Sequence, residues 1–193
     1  MNVLVVLAHP VRESFNRALL GAVQAGLADA GHTIRTADLY EEGFQPAMIE
    51  ADFAQFRGEP LSPAIQAEQA RVEWSDALVF IFPLWWWSMP AMLKGWIDRV
   101  MSYGFAWDDP SDPDSGGLRH RKILVIVTAG ASEQALAKRG YDTALHTQLN
   151  IGTWDYCGFK DVTTQIFTEL SHETPAAVRE DYLKKARALA AAI

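Results

Sequence analysis

The sequence predicts a single α/β domain over residues 1–193, with a parallel sheet covered by helices on both faces. Three observations carry this. Short continuous runs rich in Val, Ile and Leu recur along the chain, the pattern of strands buried on both faces. Stretches with helical spacing of apolar residues separate those runs, so successive strands lie parallel. Finally, 193 residues support one sizeable core and are few for two, and neither a linker nor an internal repeat divides them.

Taken in order, residues 3–8 (VLVVLA) are the first strand. Residues 14–30 read as a helix, with Phe15, Leu19, Leu20, Val23 and Leu27 on one side and Gly31 as its stop. A second strand is expected at 32–39. Residues 41–63 carry Gly43, Pro46, Gly58, Pro60 and Pro63, which predicts an irregular surface connection. Ser62 and Pro63 have the form of an N-cap followed by Pro at the first helical position, opening a helix to residue 74. The third strand is placed at 77–82. A helix at 90–102 follows, with Met92, Leu93, Trp96, Ile97, Val100 and Met101 on its apolar side. DDPSDPDSGG (108–117) is a turn-rich loop, 123–128 and 162–167 are the last two strands, and 175–192 is a closing helix.

Composition narrows the function. A net charge of -7 disfavours nucleic acid and anionic membranes as partners, although a local basic patch can still hold a small anion. One cysteine, Cys157, excludes an intrachain disulfide and suits a reducing cytosol. The N-terminal apolar stretch is short and lacks a basic start, so it reads as a strand and not as a signal peptide. No run approaches the ~18 apolar residues of a membrane span. The expectation is a soluble cytoplasmic domain. His9, His32, His120, His146 and His172 show no metal spacing, and there is no Gly-x-Ser-x-Gly elbow. Glu68, Glu73, Asp98 and Arg99 read as solvated or structural ion-pair residues. With nucleophiles, bases and metals so thin, any chemistry is expected to come from a bound cofactor.

In parallel sheets ligands bind at the carboxyl ends of the strands, which directs attention to three loops. AHPVRESFN (8–16) opens the first helix; its free N–H groups, with His9 and Arg12, offer donors for an anion, while Ser14 or Asn16 serves as the cap. FPLWWWSMP (82–90) places Trp85, Trp86 and Trp87 on a strand-to-helix bend, where they cannot all enter the core. They are core, dimer interface, or the wall of a site for a flat heteroaromatic ligand. TAGAS (128–132) supplies small residues that let backbone approach a ligand, or forms a plain turn.

At this level of detail the sequence resembles a known family. AHP-x-x-x-SFN (8–16), ADLY and FQP (37–40 and 44–46), LSP-x-I-x-AEQ (61–69), SDALVFIFPLWWWSMPAMLKGWIDRV (75–100) and YCGF (156–159) are similar to the NAD(P)H:quinone oxidoreductases of the flavodoxin-like fold. That group includes ancillary subunits of potassium-efflux systems. The resemblance implies a three-layer α/β/α sandwich with strand order 2-1-3-4-5, a homodimer, and non-covalent FAD or FMN. It also implies NAD(P)H as co-substrate and two-electron reduction of a quinone or similar aromatic acceptor by a ping-pong cycle.

By position, His9, Ser14, Phe15 and Asn16 would hold the flavin phosphate. Pro83, Leu84, Trp85, Trp86 and Trp87 would flank the isoalloxazine, with Trp86 and Trp87 nearest the ring. Thr128, Ala129 and Gly130 would approach its polar edge. Trp107 falls where quinone reductases commonly carry a substrate-side Tyr, and Tyr141 is the candidate for the residue that assists charge delocalisation. The family usually has two glycines where this chain has Ala129-Gly130; Ala129 fits if its φ is negative. A second reading is a regulatory flavoprotein subunit of a potassium-efflux-type transporter with weak reductase activity. An electron-carrier flavodoxin is disfavoured, because AHPVRESFN is not the Ser/Thr-Gly-rich phosphate loop of flavodoxins.

Overall fold

The computed structural model describes residues 1–108, 111, 117–118 and 121–193. The expected apolar runs become β1 (Asn2–Leu7), β2 (Thr33–Asp38), β3 (Ala77–Pro83), β4 (Lys122–Thr128) and β5 (Asp161–Phe167). They form one sheet, all parallel, in the order β2-β1-β3-β4-β5. Every residue of β3 is buried, as its unbroken ALVFIFP requires at the centre of a sheet covered on both sides.

Alternation along the strands divides the core into two layers. Leu4, Val6, Leu78, Phe80, Phe82, Val125 and Val127 face α2 (Pro63–Trp74) and α3 (Ala91–Val100). Val3, Val5, Leu7, Val79, Ile81, Leu124 and Ile126 face α1 (Phe15–Asp29) and α6 (Ala176–Ala191). The α1–α6 contact is close because Gly26 has no side chain: a Cβ there would lie 2.1 Å from the carbonyl oxygen of Arg187. Gly31, at φ 77°, ends α1 as expected. Ser62 does precede Pro63, but its side chain makes no capping hydrogen bond.

Two segments differ from expectation. Residues 41–63 are not simply a surface connection, since Glu50–Arg57 winds into a 3₁₀ helix that buries Asp52, Ala54 and Gln55. Its anchor is a buried ion pair in which Arg99 Nε and Nη2 donate to the two carboxylate oxygens of Asp52, at 2.9 and 3.1 Å. Arg99 is thus structural, and Glu68 accepts from Arg71 and from Trp96 Nε1. The second difference is the β4–β5 connection, which holds α4 (Glu133–Lys138), α5 (Tyr141–His146) and a π-helical stretch (Thr147–Asp155). This segment is secured by sparse anchors, Leu136, Leu145, Leu149 and Trp154, the last stacked on Phe80 at 4.5 Å. Most of the turn-rich loop expected at 108–117, and His120, lie outside the described residues. Among those residues no helix is long and apolar enough to cross a membrane.

Candidate functional site

Because all five strands run parallel, the loops after β1, β3 and β4 meet at one end of the sheet, where a cleft of about 400 Å³ opens. His9, Phe15 and Asn16 line it from the first loop, Pro83, Leu84 and Trp85 from the second, and Thr128, Ala129 and Gly130 from the third. Leu170, Ser171 and Arg179 close the remaining side. Those three were not anticipated, yet the loop after β5 ends at the same edge as the others, and that rule alone would have pointed to it.

The floor of the cleft is braced across the sheet. Asn16 and Thr128 are both buried and hydrogen-bond to each other, Asn16 Nδ2 donating to Thr128 Oγ1 at 2.9 Å. The Asn16 side chain therefore ties two loops together, while its backbone N–H stays free. At the start of α1, Ser14 Oγ accepts from the Arg17 N–H at 3.3 Å, and the N–H groups of Phe15 and Asn16 find no acceptor among the described residues. No acidic residue sits in that first turn, so the helix end keeps its positive potential.

His9 Nδ1 lies 3.1 Å from the Val11 N–H and 3.4 Å from the Val11 carbonyl oxygen. The shorter contact is that of an accepting Nδ1, the neutral tautomer with its proton on Nε2, while the carbonyl can accept from the protonated ring. Burial holds its pKa below the usual imidazole range; the Val11 backbone contact opposes this and the Arg17 charge adds to it. Arg17 is itself paired with Asp38. Among the described residues no carboxylate lines the cleft, and Arg179 is the one charged side chain there, held by the carbonyls of Ser171 and His172. Arg12 is elsewhere: its side chain is largely exposed and makes a bidentate pair with Glu41 at 2.6 and 2.7 Å. The expectation that Arg12 points at the anion is thus replaced by a surface ion pair.

The three tryptophans lie on a tight turn, and none enters the core. Trp85 and Ser88 exchange two backbone hydrogen bonds of 3.1 Å. Trp86 and Trp87 between them have φ of 49° and 61°, the left-handed pair of a turn that ordinarily takes Asn-Gly. Trp85 packs near His9, while Trp86 and Trp87 line an adjoining cavity of about 190 Å³ with Leu84, Ala129, Gly130 and Ala131. The backbone N–H groups of Trp86 and Trp87 have no acceptor among the described residues. Leu84, Ala129 and Gly130 line both cavities, so the two adjoin across these residues. Ala129 has no positive φ, since among the described non-glycine residues only Trp86, Trp87 and Glu169 do. Tyr141 stacks on Trp87 with ring centroids 3.9 Å apart and planes 9° from parallel. Trp107 is not brought here; it packs with Tyr103, Phe56 and Tyr156 beside a separate cavity of about 320 Å³.

The arrangement suits one class of ligand. Unpaired helix N–H groups, the His9 Nε2–H, Arg179 and the absence of carboxylates fit an anionic phosphate. The continuing slot, with small residues on one side, indoles on the other and free amides between, fits a flat heteroaromatic ring. Among the described residues no group of three or more side chains could hold a metal ion.

Comparison with known proteins identifies the family. A family model described as flavodoxin-like fold matches residues 1–190. The NAD(P)H dehydrogenase [quinone] 1 of Cavia porcellus is 33% identical over 204 residues, covering 93% of this chain and 72% of its own. The solved NAD(P)H:quinone oxidoreductase from Methanothermobacter marburgensis superposes with a TM-score of 0.87 at 34% identity, covering 99% of this chain and 94% of that one. An FMN-dependent NADH-azoreductase from Bacillus anthracis, solved with FMN, shares the fold at 17% identity with a TM-score of 0.77, covering 100% and 99% of the two chains. The chain belongs to the NAD(P)H:quinone oxidoreductases of the flavodoxin-like fold.

Proposed function

We propose that the protein is a flavin-dependent NAD(P)H:quinone oxidoreductase, holding FMN or FAD non-covalently and working as a cytoplasmic homodimer. The observation that carries this is the adjacency of the two cavities through Leu84, Ala129 and Gly130, with an anion cradle in one and an indole-walled slot in the other. A flavin held there would supply the redox chemistry, two-electron transfer from NAD(P)H to a quinone, with the two substrates using the same slot in turn in a ping-pong cycle.

The residues of this chain then have distinct tasks. The N–H groups of Phe15 and Asn16, with the His9 Nε2–H, hold the phosphate. The Asn16–Thr128 brace fixes the distance between the phosphate loop and the tip of β4. The free amides of Trp86 and Trp87 meet the polar edge of the ring, where preformed donors stabilise added negative charge without reorganising. The indoles exclude water and provide a stacking wall for each substrate in turn. Tyr141, stacked on Trp87, would offer its hydroxyl to that region. Phe53, Phe56, Tyr103 and Tyr156 form an exposed aromatic surface around Trp107, which supports docking of a second copy. In that dimer Trp107 would reach the partner's slot.

The test is direct. The purified protein should contain or take up flavin, identified by chromatography of the extract, and should oxidise NAD(P)H with menadione. Light scattering should give twice the monomer mass. Ser14→Asp, which sets a negative charge beside the phosphate, should weaken flavin binding at least tenfold. A colourless protein with neither flavin uptake nor NAD(P)H oxidation overturns the proposal. Slow turnover with every quinone, together with a co-purifying transporter, would favour the regulatory subunit instead.

A further inference from the structure

The turn that carries Trp86 and Trp87 is left-handed at two consecutive non-glycine residues and lacks the usual means of holding such a shape. Its indoles are not clamped in the core: Trp86 is 93% exposed, and Trp85 and Trp87 are also exposed. Left-handed backbone at non-glycine residues persists where the surroundings over-determine it, and it concentrates at functional sites. The reciprocal Trp85–Ser88 bonds close the turn but do not fix it to the rest of the molecule.

Two side-chain ties do. Ser88 Oγ donates to Gln148 Oε1 at 2.8 Å, and Trp87 stacks flat on Tyr141. Both partners come from one continuous segment, α5 and the π-helical stretch that follows it. That segment is anchored by Leu145, Leu149 and Trp154, which are buried in the core, and it also carries Tyr141 and the exposed Gln148. π-Helical turns are rare and are frequently found at functional sites. Here the stretch begins one residue before Gln148.

We infer that Gln148 is a positioning residue of the flavin slot: through Ser88, and in concert with the Tyr141–Trp87 stack, it pins the left-handed turn so that the unpaired amides of Trp86 and Trp87 stay at the cavity they share with Gly130. Gln148 touches no substrate; it acts through the backbone of the turn. The inference rests on the flavin reading given above, and its consequences separate from it.

The experiment is a fluorescence titration of flavin-free protein with FMN for the wild type, Ser88→Ala, Gln148→Ala, the double variant and Gln148→Glu. Losing one hydrogen bond that organises the slot should raise the FMN Kd about 2- to 10-fold in each alanine variant. The double variant should be no weaker than the worse single, because one tie is lost once. Gln148→Glu keeps an oxygen that accepts from Ser88 and should restore affinity to within about twofold of the wild type. The thermal midpoint should stay nearly constant across the set, which distinguishes positioning from a general loss of stability. In flavin-free protein, Gln148→Ala should diminish the same near-ultraviolet circular dichroism bands as Tyr141→Leu, since both release the stacked pair. An unchanged FMN Kd in Gln148→Ala, or additive losses in the double variant, overturns the inference while leaving the flavin reading intact. Failure of the wild type to bind FMN or FAD overturns the flavin reading itself.

Discussion

Replacing Trp86 by glycine should make the protein more stable, although it deletes the largest side chain of the site. At φ 49° the residue occupies a conformation that costs an L-amino acid about 1–2 kcal/mol. Its ring is 93% exposed, so truncation removes almost no buried contact to set against that cost. Glycine accepts the conformation freely but loses about 0.5–1 kcal/mol in chain entropy on folding. The net gain is on the order of 0.5–1 kcal/mol, which for a chain of this length raises Tm by about 1–4 °C. Trp86→Ala is the control, because alanine retains the Cβ and the strain and should gain nothing. Differential scanning calorimetry of the flavin-free proteins measures both variants, and a menadione assay of the loaded proteins should show a raised KM in each, because both lose the indole wall. A Trp86→Gly protein no more stable than Trp86→Ala would refute the argument that strain is held at this turn.

Asp52→Ala should cost about 3–5 kcal/mol in urea unfolding, since it leaves the Arg99 guanidinium buried without its carboxylate. Gly26→Ala should cost about 1–3 kcal/mol, because the new methyl meets the backbone oxygen of Arg187 and α1 must move off α6. The His9 pKa is lowered in the folded state, mainly by burial, so the unfolded chain takes up the proton first as pH falls. Stability should therefore decline as pH drops through 6.5 toward the folded value, and His9→Gln should flatten that part of the pH profile. Burial pushes the Cys157 thiol up to about 12, so it should resist iodoacetamide in the native protein at pH 8 and react once the chain is unfolded.

The strands were readable because a central parallel strand must be apolar throughout, and VLVVLA and ALVFIF are short, β-branched and bounded by turns, the marks that separate a buried strand from a buried helix. The β4–β5 connection was not, for a geometric reason. Its anchors Leu136, Leu145, Leu149 and Trp154 never repeat at the α-helical period for two turns, and the final spacing of five suits a π-helical turn that pattern matching does not seek. In the candidate site, residue types pointed to three loops that the fold brings to one cleft, but pairings over long separations stayed hidden. Nothing near Arg12 in the sequence announces Glu41, and nothing in PLWWWSMP announces that its middle residues turn left-handed. Trp107 illustrates the same limit: its position along the chain suggested the slot, whereas within one chain the fold sets it in a different aromatic cluster, and only a second copy could bring it to a slot.

The Asn16–Thr128 hydrogen bond joins residues separated by 112 positions in the chain. Closing so long a loop is entropically unfavourable until the intervening β3 has paired with both β1 and β4, so the bond forms late in assembly. The cleft is consequently a property of the assembled sheet, since its lining is drawn from the ends of β1, β3, β4 and β5. Any ligand of this cleft will bind the completed fold and not its precursors, and will draw the folding equilibrium toward completion by mass action. Ligand supply thereby becomes a control on how much of the newly made chain survives.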